Sequence, residues 1–409
     1  MKLFEDLKYR GLVDNITSPE VIEKLDNDKL TFYIGVDPTA NSMHIGHLCS
    51  LLTAKRLQNY GHKAIIIAGG GTGLIGDPKP NTERPMISKE AVLEYIEGIR
   101  SQLKNILDFD IVVNNYDWLS SMNPIDFLRD YGKFFNVAYM INKDTVKRRI
   151  DIGITYTEFS YMILQSIDFL KLYEQHGCTL QIGGQDQWGN ITAGMELIRK
   201  IHPEANAYGL TMPLITKSDG TKFGKSESGT VWLDRNRTSS YEMYQFLYNT
   251  EDTQVVEFLK KFTFLSKEEI DVLEQKVISE PHLREAQKVL AKEVVTFIHG
   301  IEAFNQAIRI SEALFSGNIS GLSKEEINEG FKEVPNFKLD NSMTISDLLM
   351  LTGAATSKRE VKEFITSGAI MINEIKITDE AYEVSKKDAI LDEFVVLKRG
   401  KKKYFLVRF

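Results

Sequence analysis

Two histidines three residues apart, His44-Ile45-Gly46-His47, follow an extended apolar run at residues 30–36 that stops at Pro38. Imidazole N–H groups beside a helix N-terminus, with its free backbone N–H groups and partial positive charge, make a seat for phosphate. Gly46 removes a side chain where a flat ligand could lie against the backbone. Far downstream, Lys222-Phe223-Gly224-Lys225-Ser226 sets two lysines three apart in a glycine-containing loop, a positive clamp for phosphates. Most charged loops are merely solvated, so alone this signal is weak.

Three further groups sit where ligands are met. Gly69-Gly70-Gly71-Thr72-Gly73 leads to Gly76-Asp77-Pro78, five glycines in eight positions. It lacks the Gly-Lys-Ser/Thr ending of a P-loop and the helix-opening pattern of a dinucleotide fingerprint. A flexible loop at a strand's carboxyl end is the plainer reading, with Asp77 placed to hold a cation or an ammonium. Tyr161, Gln165 and Asp168 recur at i, i+4 and i+7, a polar stripe in an otherwise apolar helix, suited to lining a pocket rather than meeting solvent. At Gly183-Gly184-Gln185-Asp186-Gln187 the paired glycines permit close backbone approach, and Asp186 and Gln187 offer an acceptor and an amide.

The elements that must position these groups alternate. The spacing predicts a strand at 30–36, a helix from His44 to Tyr60 and a buried strand at 63–68, a βαβ unit whose crossover is expected to be right-handed. Strands are also expected at 109–113 and 210–215. Residues 1–29 read as a polar helical cover. From Ser239 to about Leu314 the period is helical, with Ser266-Lys267-Glu268-Glu269 as a capping box. Residues 316–342 read as a linker, and 345–409 as a small α+β unit.

With 409 residues, two or three domains are expected. No run of eighteen apolar residues occurs and acids interrupt the start, so secretion and membrane insertion are disfavoured and the cytoplasm is the default. Cys49 and Cys178 form no metal-ligand or disulfide pattern and read as buried thiols. The net charge of −7 argues against a general nucleic-acid binder, yet residues 345–409 hold 12 Lys+Arg against 10 Asp+Glu, about +2 against about −9 for the rest. An RNA contact therefore belongs at the C-terminal end.

His44-Ile45-Gly46-His47 is the HIGH signature, and residues 222–226 are similar to the KMSKS signature, of class I aminoacyl-tRNA synthetases. Together with residues 33–39, 73–78, 158–168 and 181–190, they resemble the bacterial-type tyrosyl members of that family along essentially the whole chain. The resemblance implies an α/β, Rossmann-like catalytic domain with a parallel sheet (1–227), an α-helical anticodon-side domain (228–315), the linker (316–342) and an S4-like RNA-binding domain (343–409). It implies ATP as substrate with Mg2+, no tightly bound metal, and L-tyrosine, tRNA(Tyr) and a second copy of the chain as partners, with no membrane.

For the residues, the resemblance implies that His44, His47, Lys222, Lys225 and Thr39 serve the ATP phosphates, and Gly46, Gly184 and Asp186 the nucleoside. Tyr33 and Asp168 would meet the substrate phenol. Asp77, Tyr161 and Gln165 would hold its ammonium, with Gln187 and Asp37 near its carboxylate. Lys79 and Arg84 are candidates for a pyrophosphate contact, because residues 78–83 depart from the usual pattern of relatives. Lys358, Arg359, Lys362, Lys398 and Arg399 are the implied RNA contacts. Two alternatives stand beside this reading: a tryptophanyl relative, against which Tyr33 with Asp168 speaks, and a catalytically silent RNA-binding homologue, against which the intact motifs speak.

Overall fold

The apolar runs become the middle of a six-stranded sheet. Its strands are β1 (Asn15–Ile16), β2 (Thr31–Val36), β3 (Lys63–Ala68), β4 (Val112–Asn114), β5 (Cys178–Gly184) and β6 (Tyr208–Met212), in the order β1-β6-β5-β2-β3-β4. Neighbours are parallel except β1, which pairs antiparallel with β6. Ile65, Ile66 and Ile67 are all buried, as a strand covered on both faces requires. Strand order reverses between β2 and β5, so the crevice beyond their carboxyl ends, where Asp37 and Gly184 emerge, is the natural place for a ligand.

A computed structural model describes the chain apart from residues 80–84, 217–222, 227–228 and 401–402; the side chains of residues 144, 145, 225 and 226 also lie outside the description. Two boundaries differ from the sequence reading. The strand expected at 109–113 starts its ladder at Val112, because Asp108 has a positive φ of 52° and Phe109 turns into the core at 1% exposure. The strand expected at 210–215 is shifted to Tyr208–Met212, since Pro213 has no N–H to continue the ladder.

The chain divides into two compact units: residues 1–238 with 246–298, and residues 239–245 with 299–409. In the first, the sheet is joined by the helices Ile45–Asn59, Tyr156–His176 and Trp188–Ile201, and by Asp252–Phe262 and Lys267–Ser279, the latter opened by the Ser266/Glu269 capping box.

In the second, the strands run in the order Ile375–Lys376, Ile370–Ile372, Phe394–Arg399, Lys403–Arg408, Asn336–Lys338. Successive residues of Phe394–Arg399 face opposite sides. Val395 and Leu397 pack with Leu348, Val361 and Ile365, while Phe394 and Val396 pack with Ile310, Ile327 and Phe331. Residues 316–342, read as a linker, carry the helix Lys324–Gly330 and the strand Asn336–Lys338, which pairs parallel with Lys403–Arg408. Their apolar positions, Ile319, Leu322, Ile327 and Phe331, are spaced too irregularly to announce an element but are all buried. The helix Ile301–Ser316, grouped in sequence with the helical domain, belongs to this second unit through Ile310 and Ala313.

Candidate active site

The pocket helix Tyr156–His176 begins at the N-cap Thr155, whose hydroxyl accepts from Glu158 N, and lays Tyr161, Gln165 and Asp168 along one face. Each meets a group from another element. The Tyr161 hydroxyl donates to Asp37 Oδ2 at 2.9 Å, just beyond β2. The Gln165 amide donates to Gln187 Oε1 at 3.2 Å and its carbonyl accepts from Asn190 at 3.1 Å. Asp168 accepts from Asn115 Nδ2 at 2.8 Å and from Trp118 Nε1 at 2.7 Å. Asp77 accepts from Gln187 Nε2 at 2.9 Å and Asn190 Nδ2 at 3.3 Å.

Two carboxyls in this cluster titrate unusually high. Burial pushes Asp168 up to about 7 although Asn115 and Trp118 oppose it, and burial pushes Asp77 up to about 6 against its Gln187 and Asn190 donors, with Asp37 adding repulsion. Tyr33, on β2, is 1% exposed, and its hydroxyl has no hydrogen-bond partner among the described residues. Its phenol is held well above the usual range, first by burial and then by the Asp168 charge. A buried orphan hydroxyl is costly unless something satisfies it.

The glycine run behind the pocket is neither a phosphate loop nor an open one. Added Cβ atoms at Gly69 and Gly70 would lie 2.2 Å from Asp37 Oδ1 and 2.2 Å from Asn114 Oδ1. The glycines let a short helix, Thr72–Ile75, press against Asp37: Thr72 Oγ1 donates to Asp37 Oδ1 at 2.8 Å, and Asn115 Nδ2 donates to Thr72 Oγ1 at 2.9 Å. A chain of hydrogen bonds thus runs from Asp168 through Asn115, Thr72 and Asp37 to Tyr161.

At the other end, His44 is the N-cap of the helix Ile45–Asn59. Its Nδ1 accepts from Gly46 N at 3.1 Å, and His47 Nδ1 accepts from His44 N at 3.2 Å, a reciprocal cap that stacks the two rings with centroids 3.9 Å apart. Burial lowers His47 to about 3, followed by the His44 charge, so it is neutral at pH 7. With its Nδ1 accepting, the neutral His47 ring carries its proton on Nε2.

The lysine loop meets this cap through backbone. Ile45 N donates to Val231 O at 2.9 Å, Leu233 N donates to Met43 O at 2.8 Å, and Val231 N donates to Gly224 O at 3.0 Å. A Cβ on Gly224 would lie 3.2 Å from Gly46 N, and one on Gly46 would lie 3.3 Å from Phe223 O. Phe223 is fixed from below, its ring stacked on Phe262 at 5.0 Å and edge-on to Phe258 at 4.7 Å.

Of the residues singled out in sequence, the structure gathers Asp37, Asp77, Tyr161, Gln165, Asp168 and Gln187 into two hydrogen-bonded networks along the helix Tyr156–His176, with the Tyr33 hydroxyl, unpartnered among the described residues, near Asp168, and His44, Gly46 and His47 into the helix cap. Asp186 and Gly184 stand at the end of β5, where Asp186 Oδ2 accepts from Gln187 at 3.1 Å. Thr39 lies in the loop after β2, its N donating to Asp37 O at 3.0 Å. Lys222 and Arg84 lie outside the described residues, as does the Lys225 side chain, whose backbone forms a two-residue strand with Gly229–Thr230. Sequence reasoning missed Thr72, Asn115, Trp118 and Asn190. Among the described residues, no group of three or more His, Cys, Asp or Glu is placed to hold a metal ion, and no helix is long and apolar enough to cross a membrane.

Residues 25–316 match the family of class I tRNA synthetases for tryptophan and tyrosine, and residues 326–407 match the tyrosine--tRNA ligase SYY-like C-terminal domain. The chain belongs to the class I aminoacyl-tRNA synthetases. A tyrosine--tRNA ligase of Staphylococcus carnosus is 54% identical to this synthetase over 416 residues, covering 100% of this chain and 99% of the relative. The solved C-terminally truncated mitochondrial tyrosyl-tRNA synthetase of Coccidioides posadasii is 30% identical with a TM-score of 0.67, covering 76% of this synthetase and 91% of that chain. A tryptophanyl-tRNA synthetase of Encephalitozoon cuniculi, 16% identical over 74% of this chain and 87% of its own with a TM-score of 0.56, shares the fold.

The basic residues of the synthetase's second unit divide between two faces. Lys358, Arg359 and Lys362 are exposed on the helix Lys358–Thr366, and the Arg399 guanidinium lies on the same side, 5.0 Å from the Phe364 ring. Lys398, next along the strand, turns to the opposite face over Tyr404 at 5.1 Å. The structure gathers four of the five proposed RNA contacts and leaves Lys398 apart.

Proposed function

We propose that this synthetase is a tyrosine--tRNA ligase whose buried pocket takes L-tyrosine and whose histidine end takes ATP, brought as its magnesium complex. The observation that carries the reading is the orphan Tyr33 hydroxyl beside Asp168. A substrate phenol satisfies both, donating to the carboxylate and accepting from Tyr33. Phenylalanine would leave them unpaired, and tyrosyl enzymes are themselves the standard example of such discrimination. An indole has no hydroxyl to serve both groups, which disfavours tryptophan.

Asp77, with Tyr161 and Gln165, holds the ammonium, and Gln187 and Asp37 stand near the carboxylate. That carboxylate attacks the α-phosphorus, the bond to pyrophosphate breaks, and tyrosyl-adenylate forms. A terminal ribose hydroxyl of tRNA then attacks the acyl carbon and AMP leaves. Neither step needs a covalent enzyme intermediate. Catalysis is positioning plus donation to developing phosphate charge, for which the His44 and His47 side chains at the helix N-terminus suit. Thr39, Lys222 and Lys225 complete the phosphate contacts, and Gly46, Gly184 and Asp186 the nucleoside contacts, in this proposal.

Residues 358–362 with Arg399 hold tRNA through its phosphates. Exposed apolar side chains between residues 125 and 156, among them Ile125, Val137, Ile152 and Tyr156, favour a homodimer across that segment. A cytoplasmic location belongs to the same proposal. Pyrophosphate exchange with each amino acid tests the core: tyrosine-dependent exchange is expected, and exchange with tryptophan alone, or with none, overturns it.

A further inference from the structure

A buried ion pair stands beside the pocket, outside its hydrogen-bond networks. Arg149 and Glu158 are 3% and 2% exposed, with Arg149 Nη2 to Glu158 Oε2 at 2.8 Å and Nη1 to Oε1 at 3.3 Å. Two buried ions in a dry interior stabilise a fold poorly, because desolvation offsets most of their attraction. Their hydrogen bonds suggest another purpose. Arg149 Nη1 also donates to Lys79 O at 2.9 Å, and Nε and Nη2 donate to Gly153 O at 3.2 and 3.1 Å.

Lys79 is two residues beyond Asp77, and the link between them is stiff. Pro78 has a fixed φ and restricts the residue before it to extended geometry. On the other side, Gly76 takes a positive φ of 82° and its N donates to Thr72 O at 2.8 Å. Asp77 is therefore strung between two anchors, the end of the helix Thr72–Ile75 and the Arg149 guanidinium. Glu158 steadies that guanidinium from the pocket helix itself, one turn before Tyr161. A single rigid element thus sets Tyr161 and Gln165 directly and Asp77 by way of Arg149.

We infer that Arg149, steadied by Glu158, is a positioning residue that sets the Asp77 carboxylate for the substrate ammonium. This rests on the tyrosine reading of the pocket. It predicts a split between ligands: Glu158→Gln, and more so a variant lacking the guanidinium, weakens binding of tyrosine but not of 3-(4-hydroxyphenyl)propionate, which has the phenol and carboxylate but no ammonium.

Arg149→Ala alone would strand a buried carboxylate, so the decisive variant is the double Arg149→Met/Glu158→Leu, which removes both charges together. In pyrophosphate exchange we expect its KM for tyrosine to rise about tenfold, the KM for ATP and the inhibition constant of the propionate to stay within twofold, and Tm to stay close to that of the parent. A parent-like tyrosine KM in a folded double variant overturns the inference, as does an equal weakening of tyrosine and the propionate. If the double variant does not fold, Glu158→Gln carries the same comparison. Failure of the parent to exchange with tyrosine would instead overturn the reading of the pocket, so the two failures are distinguishable.

Discussion

The two ends of the proposed site, one for the amino acid and one for the phosphates, are built from different materials. The amino-acid end is side chain on side chain: carboxylates of Asp37, Asp77 and Asp168, each held by two side-chain donors. The phosphate end is largely backbone: glycine against glycine where residue 224 meets residue 46, and main-chain hydrogen bonds from residues 43 and 45 to 231 and 233. The contrast suits the ligands proposed for the two ends. A tyrosine must be told from a phenylalanine, which takes buried polar groups that suffer when unpaired. A triphosphate needs only close approach and donors, which backbone supplies if no Cβ intervenes.

Removing a carboxylate from the first end should do the greatest damage, and to selectivity. Asp168→Ala is expected to cut the preference for tyrosine over phenylalanine in pyrophosphate exchange by about 10²-fold or more. An unchanged ratio of kcat/KM values would take Asp168 out of phenol recognition. At the second end, Gly46→Ala places a methyl 2.8 Å from the His44 ring, so the reciprocal cap must open. The KM for ATP should rise about tenfold while tyrosine binding, followed by fluorescence titration, stays as in the parent. If tyrosine binding falls equally, the two ends are not separable.

The smallest effect is one of pH. Asp77 and Asp168 titrate near 6 and 7 in the free protein, so the KM for tyrosine should rise a few-fold as pH falls from 8 to 6. Their effect on stability has the opposite sign. Each carboxyl sits above its unfolded value of 3.8, so the folded state binds more protons, and the site's contribution weakens as pH rises from about 4 to about 7. Unfolding measured across that range, with Asp168→Ala subtracted from the parent, should show this slope; a flat difference would mean that Asp168 is ionised throughout.

Much of this contrast could be read from the chain. The histidine pair, the Tyr161/Gln165/Asp168 stripe and the strands at 31–36 and 63–68 all announce themselves through local spacing. Thr72, Asn115, Trp118 and Asn190 do not, because a donor's value lies in the acceptor it meets, and the carboxylates they reach are separated from them by 35 to 113 residues. Arg149 and Glu158, nine residues apart, look like two ordinary surface charges until folding buries them. The segment at 316–342 reads as a linker because its strand contributes three residues to a sheet otherwise made from residues 370–408. The Gly69–Gly71 run is visible, but its purpose is not: small residues are demanded there by Asp37, Asn114 and Leu119 packed against them.

The pairing of Met43 and Ile45 with Val231 and Leu233 also bears on how the molecule comes into being. These partners are nearly half the chain apart, and closing so long a loop is slow compared with forming the neighbouring helices. During synthesis the HIGH segment leaves the ribosome long before its partner strand, so the earlier part of the chain emerges with an unfilled main-chain edge. Nucleotide affinity should therefore switch on late and abruptly, when residue 233 has emerged and docked, rather than grow in proportion to the length of chain made.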